Sequence, residues 1–188
     1  MNRRDLLKGF AVVPAAAAQQ YEARTRGLAP LTIKSAKVIT TSAGGNYRWI
    51  FLKIMTSEDG LYGIGSASDH YRCKVIETAI ETIAPLIIGR DVSRIEDIWQ
   101  SIYTCGYWRN DSTLNTVQAG IDMALWDIKG KEAGMPVYQL LGGKTRSAVA
   151  AYAHAQGNSL GELEDDVRKY WEEGYTVIRC QLGNYGGG

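Results

Sequence analysis

Apolar side chains at Val117, Ile121, Ala124, Leu125 and Ile128 fall at helical spacing. They predict a long helix with one buried face, from which Asp122, Asp127 and Lys131 mostly point away. Gly134 ends that helix, because glycine takes the left-handed cap conformation without a Cβ clash, and Pro136 cannot continue the ladder. Upstream the period is two. Ile33, Ala36 and Val38 give an imperfect alternation over Leu31 to Thr41, and Ile50, Leu52 and Ile54 alternate with Trp49 and Phe51 over Tyr47 to Thr56, so both stretches read as strands. Ser57-Glu58-Asp59-Gly60 is a hairpin turn, and Leu61 to Ser66 returns as a third strand containing Gly63 and Gly65.

The period then lengthens. Ile76, Ala79, Ile80, Ile83 and Ile87 share one face of a helix that ends near Gly89. Ser93 and Glu96 form an S-x-x-E capping box for a second helix, whose buried stripe is Ile95, Ile98, Trp99, Ile102 and Tyr103. Three strands followed by three helices make an α+β arrangement built on an antiparallel meander. After Gly143 the reading is a strand over Ala148 to Ala155, a helix over Leu160 to Glu173 and a strand over Tyr175 to Leu182, which is one βαβ unit.

The first eighteen residues differ from the rest. Asn2-Arg3-Arg4-Asp5-Leu6-Leu7-Lys8, an apolar run from Gly9 to Val13, then Pro14 and four alanines follow the order of an export signal. The apolar run is too short to span a bilayer. The paired arginines resemble a twin-arginine signal, which implies export to the periplasm, with cleavage near Ala18. Residues 19–30 read as a polar linker.

Composition narrows the function classes. Of 188 residues, 45% are hydrophobic and 22% charged, the balance of an ordinary globular chain. The net charge of +1 provides no global field for nucleic acid or an anionic membrane. Cys73, Cys105 and Cys180 are odd in number and widely spaced, and there are two histidines, so zinc and disulfide frameworks are poorly supported; the thiols read as core filler. Gly143-Lys144-Thr145 lacks the first glycine of a phosphate loop, since Tyr138 stands there. Tyr103, Tyr107, Trp108 and Arg109 continue a buried helical stripe and read as core and domain-interface packing ahead of a stacking platform for a ligand.

The stretch VQAGIDMALWDIKGKEAGMPVYQLLGG, residues 117–143, resembles the signature of the mandelate racemase and muconate-lactonizing branch of the enolase superfamily. That resemblance implies an N-terminal capping domain over 31–143 and, over 144–188, the start of a (β/α)8 TIM barrel. A complete barrel takes about 250 residues, so the barrel is expected to be truncated here and the chain alone inactive.

Three residues become candidates within this frame. On the last strand, Val177, Arg179 and Gln181 alternate with Ile178, Cys180 and Leu182. In a barrel the second set suits the helix layer, directing Arg179 and Gln181 inward near the catalytic end. An ordinary surface arginine is the other reading of Arg179. Many relatives carry Lys-x-Lys where this chain has Arg179-Cys180-Gln181, so simple racemization is disfavoured, and YTVIRCQLG is similar to the mannonate-dehydratase subgroup, in which an arginine works with a tyrosine from the following loop. The spacing of Tyr185 does not clearly match that tyrosine. His154, in AYAHAQG, falls at the end of the first barrel strand; a lone histidine is often structural, whereas the resemblance implies contact with a sugar-acid substrate. His70, in a polar loop after the third strand, matches a position that folds over the barrel mouth in relatives, with asparagine in the mannonate-type pattern.

The function implied is a sugar-acid dehydratase dependent on Mg2+, acting as a homo-oligomer, with metal ligands on later barrel strands beyond residue 188. Another superfamily reaction, such as epimerization or cycloisomerization, and a non-catalytic binding module are the alternatives.

Overall fold

A computed structural model describes residues 30–42, 44, 48–69 and 71–183. The export-type segment, His70, Tyr185 and Tyr47 therefore lie outside the described residues. The chain divides into two compact units, Met1–Gly142 and Gly143–Gly188.

In the first unit, β1 (Ile33–Ser42), β2 (Arg48–Thr56) and β3 (Tyr62–Ser66) form an antiparallel meander in that spatial order. The period-two pattern of β2 buries Ile50, Leu52, Ile54 and Thr56 on one face. Ile33 faces Thr56 and a bulge between Ile33 and Ser35 shifts the register of β1. The turn from β2 to β3 is closed by Gly60 at φ +85°.

Three helices follow, α1 (Cys73–Ile87), α2 (Ile95–Thr104) and α3 (Ser112–Glu132); α1 and α3 pack on the sheet, and α2 packs on α1 and α3. Ile76, Ile80, Ile83 and Ile87 of α1, Ile98 and Ile102 of α2, and Val117, Ile121, Ala124, Leu125 and Ile128 of α3 share one core with the buried residues of β2. The α1–α2 connection runs beside β1, where Ile33 N donates to Arg90 O, Gly89 N to Ile33 O and Val92 N to Leu31 O. Helix α3 lies so close to β3 that Gly63 and Gly65 touch its backbone: a Cβ built at Gly63 would stand 1.9 Å from Ala124 O.

Helix starts follow local hydrogen bonding. Asp111 caps α3 by accepting from Leu114 N at 2.9 Å. The Ser93–Glu96 box does not form. The N-cap of α2 is Arg94, one residue later, and the Asp91 side chain accepts from Ser93 N at 2.8 Å, an Asx turn that takes the place of the cap. At its far end α3 stops at Ala133, with Gly134 at φ +63°, and Pro136 leads into α4 (Val137–Leu140).

The second unit is a βαβ motif in which β4 (Ala153–Gly157) pairs in parallel with β5 (Ile178–Leu182) and α5 (Leu160–Glu172) connects them. The strand expected from Ala148 begins only at Ala153, because β5 supplies ladder partners from Val177 onward. Val149 and Tyr152, left without a partner strand, are exposed. The second strand is shorter than expected as well. Gly174 at φ +94° ends α5, and Tyr175 N donates to Tyr170 O, so residues 175–177 belong to the turn that leaves the helix.

Candidate functional site

The parallel register sets His154 of β4 directly beside Arg179 of β5, and Gln156 beside Gln181 two residues on. Paired residues of neighbouring strands project to the same face, so these four side chains share one. The opposite face carries Ala153, Ala155 and Gly157, and α5 lies on it: a Cβ at Gly157 would stand 2.4 Å from Leu163 N. Arginine, histidine and two amides thus occupy the face that α5 leaves uncovered.

The four groups differ in environment. Arg179 is exposed and His154 half-buried. His154 Nε2 and Gln181 Oε1 are both buried without a hydrogen-bond partner. Gln181 Nε2 donates to Gly183 O at 3.0 Å, which fixes its amide and leaves the oxygen as the unused acceptor. Unpartnered buried polar atoms are uncommon, and these two belong to side chains on one strand face. At the strand edge Asp166 of α5 accepts from Gln156 N at 2.9 Å and satisfies an amide that the ladder with β5 leaves open.

Gln156 and Gln181 join the candidates at this point. Each lies two residues beyond a singled-out side chain, so the strand period alone signals them. His70 and Tyr185 lie outside the described residues. No group of three or more His, Cys, Asp or Glu side chains that could hold a metal ion occurs among the described residues.

Several expectations need correction. Cys105 and Cys180 are exposed and only Cys73 is partly buried, so they are not core filler. Cys105 caps the end of α2 where the chain enters a surface loop, and nothing in the thin second unit covers Cys180. Tyr107 and Trp108 are exposed as well, because α2 ends at Thr104 and the stripe does not continue beyond it. Asp127 and Lys131 lie off the buried stripe, yet they are engaged: Asp127 Oδ2 accepts from Ile64 N at 2.9 Å, and Lys131 Nζ donates to Tyr62 O at 2.8 Å and to Asp127 at 2.7 Å. They finish the open edge of β3.

The sequence profile of the mandelate racemase / muconate lactonizing enzyme N-terminal domain matches residues 24–142. The chain belongs to that family. It is thereby a member of the enolase superfamily, with the three-stranded meander and helices of the capping domain. A D-galactonate dehydratase family member from Paenibacillus sp. (strain JDR-2) is 59% identical over 144 residues, 76% of this chain and 35% of that protein. The D-galactonate dehydratase family member RspA of Pantoea ananatis (strain LMG 20103) is 52% identical over 158 residues, 84% of this chain and 38% of that protein. The chain therefore spans less than two fifths of the length of these relatives. Among solved structures, an enolase from Pantoea ananatis with bound D-gluconate and Mg superposes with a TM-score of 0.78 at 52% identity, over 84% of this chain and 38% of that one. Within the superfamily, the relatives' names point to galactonate dehydratases where YTVIRCQLG suggests the mannonate subgroup.

Proposed function

We propose that the complete protein is a sugar-acid dehydratase and that this chain contributes its capping domain and the first βαβ unit of a (β/α)8 barrel. The observation that carries the proposal is the juxtaposition of His154 and Arg179, with Gln156 and Gln181 beside them, on the face of the βαβ unit away from α5. In a barrel built from such units the helices lie outside, and substrate is met at the C-terminal ends of the strands. The relative solved with D-gluconate and Mg supports a polyhydroxy carboxylate as the ligand class.

The reaction removes the proton from the carbon next to the carboxylate. The hydroxyl on the next carbon departs as water, and the resulting enol becomes the 2-keto-3-deoxy acid. Arginine is a poor base, so the task of Arg179 is to hold the substrate carboxylate and the negative charge that develops during proton removal. His154 Nε2 and Gln181 Oε1, buried and unpartnered, serve as hydrogen-bonding sites for sugar hydroxyls. His70 is assigned to substrate choice from the loop after β3. Magnesium, when bound, stabilises the charge on the carboxylate oxygens. The described residues hold no ligand cluster for it, so its ligands are assigned to other residues. We infer as well that Arg3-Arg4 and the apolar run after them direct export by the twin-arginine route, and that the protein acts as a homo-oligomer.

The test uses the protein produced from the longest reading frame that contains this chain, incubated with a panel of acid sugars with and without magnesium. Formation of 2-keto-3-deoxy acid only with the metal, lost in R179A, supports the reading. Turnover with retention of every hydroxyl would point to epimerization, and absence of product from the whole panel would overturn dehydration.

A further inference from the structure

The three strands of the meander bury one face and leave the other open. Ile50, Leu52 and Ile54 belong to the core, so Trp49, Phe51, Lys53 and Met55 of β2 point the opposite way. The register fills this outer face in four rows: Thr41 beside Trp49, Ile39 beside Phe51, Lys37 beside Lys53, and Ser35 beside Met55. Ile64 of β3 stands on the other side of Lys53. Trp49 is 50% exposed, Ile64 43% and Ile39 41%. Large apolar side chains gathered on one open surface, unlike those scattered singly, mark a contact with something outside the chain.

Charge limits what that something is. The net charge of +1 is unevenly distributed, for β1, β2 and β3 contain Lys34, Lys37, Arg48 and Lys53 and no acidic residue. Lys37 and Lys53 face each other across the ladder, an arrangement that costs stability because like charges repel. Among the described residues no ion pair offsets it. Lys53 Nζ settles instead over the Tyr62 ring, 3.7 Å from its centre. An anion over the Lys37–Lys53 row would remove the repulsion, so the face suits a negatively charged occupant that also accepts tryptophan and isoleucine.

A second copy of the chain has the wrong sign, since a two-fold contact through this face would set the lysine pair of one copy against that of the other. Bases and sugar rings lack a platform: Trp49 and Phe51 meet edge to face at 69°, and Lys53 and Lys131 already lie over the Tyr62 ring. Strands about 4.8 Å apart and rows about 6.8 Å apart give a footprint of roughly 200 Å2. A stable protein partner covers roughly 800 Å2. A lipid surface needs less, because each base gains separately from the surface potential and tryptophan settles at the headgroups. We propose that the outer face of the meander docks on an anionic membrane surface, with Lys37 and Lys53 at the lipid phosphates and Trp49, Ile39 and Ile64 among the headgroups. The contact is peripheral, as no described helix is long and apolar enough to cross a membrane. It is independent of the dehydratase chemistry.

The test is co-sedimentation of the full chain with vesicles of phosphatidylcholine, alone or mixed equally with phosphatidylglycerol. Every chain carries R3E and R4E, so that the basic N-terminus does not do the binding. Binding is expected to the mixed vesicles and not to phosphatidylcholine, and it should weaken as salt rises from about 50 to 500 mM. K37E/K53E should weaken it at least about tenfold. W49A should weaken it severalfold and abolish the blue shift of tryptophan emission that accompanies binding. R168E/K169E, which alters the net charge equally on α5, should bind as the parent does. None of the replaced side chains belongs to the core cluster, so circular dichroism should match the parent throughout. A parent chain that ignores the mixed vesicles overturns the proposal. So does equal binding to both vesicles, or a K37E/K53E chain that binds no worse than R168E/K169E. Capture of an oligothymidylate or of polyglutamate without vesicle binding overturns it in favour of nucleic acid or an acidic protein.

Discussion

Replacing Gly65 by alanine puts a methyl group where the backbone of α3 already stands. The new Cβ would lie 1.8 Å from Gly120 O, 2.8 Å from Gly120 C and 3.0 Å from Ala124 N. All three are main-chain atoms, so no rotamer change relieves the clash. Ordinary contact lies at 3.4–4 Å, so β3 and α3 must part by roughly 1.5 Å. That opening loosens the layer in which Ile121, Leu125 and Ile128 of α3 meet Leu52 and Ile54 of β2. Overpacking a core costs about 1–3 kcal/mol, and a clash between two backbones with loss of contacts beneath it belongs at the top of that range, about 3 kcal/mol. For a domain of this size the midpoint of thermal unfolding should fall by roughly 10 °C. Gly60→Ala is the comparison. Its φ is +85° and no atom lies within 4 Å of a built Cβ, so it tests left-handed strain alone, about 1 kcal/mol. Denaturant and thermal unfolding followed by far-ultraviolet circular dichroism would measure both. A G65A chain no less stable than G60A would refute the close approach of strand and helix.

Asp127→Ala removes the acceptor of Ile64 N–H and the partner of Lys131, and is expected to cost about 1–2 kcal/mol; faster hydrogen exchange at the Ile64 amide, before that of β2, checks it. Burial, and then Glu96, raises the Asp122 carboxyl above its ordinary 3.8. The folded chain therefore holds that proton more tightly than the unfolded chain, and stability is lost as pH rises through the folded value. Asp122→Asn should thus be more stable than the parent near neutrality, with the gain vanishing below pH 3.8, in unfolding experiments dilute enough to keep the chain monomeric. A gain independent of pH would exclude this cause. Ser159→Ala deletes the cap of α5, where Ser159 Oγ accepts from Glu162 N, and should cost about 1 kcal/mol, read as lost helicity in the second unit.

Capping boxes show where local pattern is sufficient. Ser93-x-x-Glu96 and Ser159-x-x-Glu162 are the same motif in sequence. Only the second caps a helix: Ser159 accepts from Glu162 N while Glu162 reaches back to Asn158 N at 2.9 Å. The first loses to Asp91, two residues before Ser93, whose side chain takes the amide first. The meander and the long helices were legible because each needs only its own period, as in Ile50-Leu52-Ile54 or Val117-Ile121-Leu125. The strand predicted from Ala148 was not, since a strand exists where a partner lies beside it, and the partner's start depends on where Gly174 lets α5 end. Asp127 and Lys131 fit a solvent-facing helical position and also the edge of β3, a choice decided by the glycines that draw strand and helix together. For the candidate site, alternation foretold that Arg179 and Gln181 would share a face. The pairing of Arg179 with His154 depends on a parallel register that no local pattern encodes.

The two units are unequal in what they bury. Eighteen residues form the core cluster of the first, whereas Ala153 and Ala155 are the fully buried apolar residues among those described in the second. A chain made from its N-terminus can settle the first unit while the second is still emerging. The second then presents Val149, Leu160, Val177 and Leu182 to its surroundings. During synthesis, while these side chains are uncovered, proteases and chaperones engage such open aliphatic segments first, and the capping domain is the piece that outlives them.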